Sequence, residues 1–214
     1  MSFGLIFVIV VAIVIGAFFA RHPDQLERAR FLKRSGFTLM GLSTLFFGTF
    51  VAGETVTDPG GWKAAGLVAA WAVPLAGAAA LAWLRPDRAV GVFAALTLAV
   101  VGISVWFAVN PEGWRSFEDR NGPIRGVITF VLAAAIALLG LKRTAPAGVL
   151  LLVVGLVPPV VSSLGSLNGF GSLAVVSSAP VVAGVLHLLS ARMTVRPAPS
   201  ARQDATPRDL PKAA

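Results

Sequence analysis

Few side chains in this sequence could do chemistry, and the most suggestive group combines proline with serine. Pro158 and Pro159 stand side by side, Ser162 and Ser163 follow one turn later, and Ser177, Ser178 and Pro180 answer them after a short interval. Proline withholds a backbone donor and crowds the carbonyl four residues earlier, so two in succession should break or sharply kink a helix. The freed carbonyls take hydroxyl donors, which is one ordinary use of serine in membrane helices. The other use is functional: a broken helix and four hydroxyls could line an outward-facing polar cavity for a small neutral ligand or a lipid headgroup.

Apart from Lys63 and Arg125, each one residue inside a block end, His187 is the only ionisable side chain within an apolar block, and His22 lies just beyond the end of the first block. Two imidazoles without a third ligand make a poor metal site. A serine hydrolase needs a positioned hydroxyl and an orienting acid, and the sequence provides neither. His187 therefore reads as an interfacial, hydrogen-bonded histidine. Cysteine is absent, which removes disulfides, thiolate metal sites and iron–sulfur clusters. No Asp, Glu, Lys or Arg falls well inside an apolar block, which argues against a proton relay, a voltage sensor and a metal-dependent membrane protease. No catalytic, cofactor or metal site is expected, and the chain reads as a non-enzyme.

The elements that must hold these residues are long and apolar. Hydrophobic residues make up 56% of the 214 and charged ones only 13%, outside the usual globular range. The apolar residues fall in blocks near 3–20, 37–53, 62–84, 89–109, 124–141, 147–164 and 173–190, each 17 to 23 residues long. Such lengths match the hydrocarbon thickness of a bilayer. The sequence thus predicts an all-α, polytopic transmembrane bundle of about seven spans. The block at 3–20 is expected to be a retained helix, because a cleavable leader carries its positive charge ahead of the apolar run and residues 1–4 have none.

Charge sets the orientation. Loops 21–36, 85–88 and 142–146 and the tail from 191 carry fourteen of the Lys and Arg residues, against Lys63, Arg115, Arg120 and Arg125 on the other side. The basic side is the cytoplasmic one, which puts the N-terminus outside and the C-terminus inside. This distribution also accounts for the net charge of +8 without nucleic acid, since no basic domain with interleaved aromatics is present. Abundant Ala, Val, Gly and Arg suggest a prokaryotic genome, and so a multi-pass protein of a prokaryotic plasma membrane.

Smaller features refine this picture. Trp62, Trp83, Trp106 and Trp114 lie near span ends, as an interfacial belt does, while Trp71 is mid-span, where its indole N–H needs a partner. Within the basic loop, 23–34 could form a short helix with Leu26, Ala29 and Leu32 towards lipid and its arginines outward. The tail, 193–214, is rich in Pro, Ala and Arg and is expected to be disordered. Residues 84–92 resemble 141–149, which raises a duplication of two hairpins beside the simpler reading that Gly and basic residues recur at interfaces. The expected partners are the bilayer and a membrane protein or second copy. The first functional expectation is an accessory or scaffold subunit acting through helix contacts. The alternative is a small transporter or ligand-binding protein that uses the proline-bearing sixth and seventh spans.

Overall fold

The computed structural model describes residues 24–57, 61–110, 124–165 and 170–195, together with Gly16 and Glu112. Among the described residues there is no strand, and six helices account for nearly all of those residues. They are α1 (Gln25–Thr57), α2 (Gly61–Leu84), α3 (Pro86–Val109), α4 (Ile124–Gly140), α5 (Thr144–Gly165) and α6 (Phe170–Val195). The expected span at 3–20, the outer loop after Asn110 and most of the tail lie outside the described residues. Among the described residues three helices are long and apolar enough to cross a membrane, Gly61–Leu84, Pro86–Val109 and Thr144–Val161, and Val127–Gly140 is a shorter apolar one.

Local signals set several helix ends. Asp24 accepts the backbone N–H of Leu26 at 2.9 Å through Oδ1, as a helix-starting carboxylate does, with Glu27 in the first turn. Between α2 and α3 only Arg85 intervenes, because Pro86 needs no donor at the first helical position. The α4–α5 link is the three-residue turn Leu141–Arg143, whose amides bond back to Leu138 and Leu139 at 2.8–3.1 Å.

Two sequence expectations need correction. Residues 25–36 are not a loop, nor a separate short helix, since α1 runs unbroken for 33 residues, about 50 Å at the usual rise. Ala29 and Leu32 do not face lipid; they are fully packed inside the bundle, while Leu26 remains half-exposed. The reason is spacing: Ala29, Leu32, Gly36 and Met40 form one buried stripe, which keeps the helix on its neighbours past the basic residues. The buried hydroxyl of Ser190 fastens this contact by donating to the Ala29 carbonyl at 2.7 Å. Nor is α5 broken at Pro158 and Pro159, because helix continues through both to Gly165. Both prolines are buried, so packing offsets the two missing backbone bonds.

The shortest helix, α4, is the axis of the bundle and touches the other five. Its Leu132, Ala133, Ala135, Ile136, Ala137 and Leu139 are buried; the small alanines let neighbouring backbones approach closely. By contrast α2 is peripheral, with only a small part of its apolar length covered.

The basic segments converge on one end of the bundle. Lys33 of α1 donates to the Leu141 carbonyl at 2.8 Å, Lys142 donates to the Trp83 carbonyl, and Arg143 pairs with Asp87. These bonds tie the start of α1, the α2–α3 turn and the α4–α5 turn together. The two segments whose sequences echo each other, 84–92 and 141–149, therefore lie side by side.

Candidate functional site

The proline and serine residues are distributed along the α5–α6 seam. Pro158, Pro159, Ser177 and Pro180 are buried and Ser178 is half-buried, whereas the side chains of Ser162 and Ser163 lie outside the described residues. The part of the seam that can be described is closely packed. A Cβ on Gly155 would lie 2.7 Å from Val181 Cγ2, 3.0 Å from the Val181 backbone nitrogen and 3.2 Å from Pro180 Cβ. One end of the same seam is equally tight, since a Cβ on Gly184 would sit 3.0 Å from the Gly148 carbonyl oxygen. Glycine is required at these positions by backbone approach, a role sequence inspection assigned to none of them.

His187 is the most unusual side chain in the bundle. It is fully buried, and neither ring nitrogen has a hydrogen-bond partner among the described residues. The hydrogen bond expected of this histidine is therefore not made among the described residues, and α1 and α4 close over the ring. Gly36 and Gly140 make room for it, because a Cβ on Gly36 would be 3.3 Å from Nε2 and one on Gly140 only 2.4 Å from Cε1. An imidazole always carries at least one N–H donor, and leaving such a group unpaired costs about 1–3 kcal/mol. The other predicted histidine, His22, lies outside the described residues.

A second polar feature lies between α1, α2 and α4. A cavity of about 10 Å³ is bounded by Thr44, Phe47, Gly48, Trp71 and Phe130, space for at most one water. Neither Thr44 Oγ1 nor Trp71 Nε1 has a hydrogen-bond partner, so the mid-span indole that needs a partner has none among the described residues. Gly48 lets the indole cross α1, since a Cβ there would lie 2.9 Å from Trp71 Cη2. The stacking of Phe47 on Phe130, with centroids 4.5 Å apart, closes the apolar side.

Chemically, these arrangements are close-packed contacts between helices. Among the described residues there is no group of three His, Asp or Glu side chains able to hold a metal. Comparison with protein-family models, curated proteins and solved structures gives no match. The functional reading therefore rests on the physical chemistry of this chain alone.

Proposed function

We propose that this chain is a seven-span protein of a prokaryotic plasma membrane, N-terminus outside and C-terminus cytoplasmic, acting without catalysis as an accessory or scaffold subunit through helix contacts. One observation carries the reading. On the outer faces of α2 and α3, a Cβ at Gly66, Gly77, Gly91 or Gly102 would meet nothing within 4 Å. These open notches sit on apolar helices that cover little of themselves within the chain, and small residues are what let a further transmembrane helix approach closely. The interior glycines, by contrast, are already filled by neighbours. The alternative, a small transporter or a ligand- or lipid-binding protein built on the sixth and seventh spans, draws on Ser177 and Ser178. The close contact of Gly155 with Pro180 and Val181 leaves it the weaker reading.

The chain lacks cysteine, so a single cysteine can be placed cleanly. Gly77→Cys or Gly102→Cys, labelled with benzophenone maleimide in native membranes, is expected to give a discrete photo-crosslinked band to a second copy or to another membrane protein. Were both positions to yield only lipid adducts, the scaffold reading would be withdrawn.

A further inference from the structure

From the basic end of the bundle we infer that the junction of the α2–α3 and α4–α5 turns is a binding site for an anionic phospholipid, its phosphate held by Arg85, Arg88 and Lys142 and its acyl chain lying along Trp83 and Leu84. The inference rests on the membrane reading above and adds a specific ligand to it.

Charge is the first ground. At this end the described residues include nine Lys and Arg against three acids, Asp24, Glu27 and Asp87. Setting topology requires only that cations flank the spans; it does not require them to be fastened into one platform. Here three of them, Lys33, Lys142 and Arg143, are fastened. The Lys142 ammonium donates to the Trp83 carbonyl and stands 4.4 Å from the centroid of the same indole, while Arg143 is held by Asp87. Lys142 has three donors, so two remain for a phosphate. Arg85 and Arg88 are exposed on the same platform.

The helix geometry adds to this. Arg85 is the cap residue of α3 and its guanidinium has no acceptor to cap with, so in the first turn of this 24-residue helix, where Pro86 has no N–H, the amides of Asp87 and Arg88 add partial positive charge beside the two arginines. Asp87 does not cancel it, because Arg143 already engages that carboxylate.

Adjacent apolar exposure selects lipid over a soluble phosphate. Trp83 is 52% exposed and Leu84 71% exposed, directly beside the cations. Apolar side chains bordering a cationic platform match a molecule with a negative headgroup and a hydrocarbon tail, and match no free anion. Each cation near such a surface contributes about a fivefold preference for anionic lipid.

The test uses the full-length protein in detergent, mixed with equimolar phosphatidylglycerol and phosphatidylcholine, with bound lipid counted by native mass spectrometry. Phosphatidylglycerol is expected to be retained at least about tenfold over phosphatidylcholine. Arg85→Gln and Lys142→Gln should each lower that preference about fivefold, while Lys63→Gln at the opposite end should leave it unchanged. Because Lys142 also pins two turns, Arg88→Gln serves as a second variant with no packing role. Equal retention of the two lipids would overturn the proposal, as would an equal effect of Lys63→Gln. Displacement of the lipid by inorganic phosphate at equal concentration would overturn it too, by showing a bare anion site. Carbonate extraction of the same variants separates the two claims: protein that stays in the membrane without lipid preference disproves the lipid site and leaves the membrane reading intact.

Discussion

Replacing Gly140 with alanine is expected to destabilise the bundle by about 2 kcal/mol, although alanine is the better helix former. The added methyl would lie 2.4 Å from His187 Cε1 and 2.8 Å from Nδ1. A flexible side chain would swing aside, but this ring cannot, because Gly36 of α1 closes on its other side. Either α4 and α6 separate or the imidazole leaves its rotamer, and each costs packing in the most buried helix of the fold. The effect should be reversed by a second change. His187→Ala in the Gly140→Ala background removes the obstruction and two unpartnered polar atoms together, so the double variant should regain most of the stability lost. Thermal unfolding in detergent, followed by loss of the monodisperse chromatographic peak, measures all four members of the cycle. A double variant no more stable than Gly140→Ala would show that the glycine serves something other than the ring.

At Gly155 the same substitution is expected to behave differently. The destabilisation should be similar, about 1–3 kcal/mol, but shortening the facing side chain should not reverse it. Val181→Ala removes the Cγ2 that lies 2.7 Å from the added methyl, yet leaves the backbone nitrogen at 3.0 Å and Pro180 Cβ at 3.2 Å. Backbone cannot retreat without moving α6 bodily, and α5 against α6 is the most extensive helix contact of the bundle. Less than half the loss should therefore be recovered in Gly155→Ala with Val181→Ala. Full recovery would mean that the seam is set by side chains.

This contrast shows which features a sequence can display. The helical class is visible because it depends on properties of contiguous residues: block length, apolar content and the placement of Lys and Arg. The start of α3 departs from the expected loop at 85–88, because helix already begins at Pro86, three residues before the apolar block. The continuation of α1 through its basic residues was not visible either, because Ala29 and Leu32 owe their burial to Ser190 and its neighbours on a helix remote in sequence. Pro158 and Pro159 raise the expectation of a break from local rules alone, and those rules take no account of the packing that buries both rings. His187 stood out by type, but its setting did not. Nothing near it in sequence announces that Gly36 and Gly140 will meet around it. The glycines in the α5–α6 seam are equally silent, since a glycine needed for backbone contact and one facing open space, such as Gly77, look the same in one dimension.

The central claim is a bilayer-crossing bundle whose basic end faces the cytoplasm, and labelling of single cysteines in intact cells tests it most directly. Trp62→Cys, at the exposed start of α2, and Arg88→Cys, at the basic end of α3, are treated with a membrane-impermeant maleimide before and after permeabilisation. Trp62→Cys should label in intact cells and Arg88→Cys only after permeabilisation. Labelling of both positions from the same face, or recovery of the labelled protein in the soluble fraction, would contradict the topology and with it the functional reading.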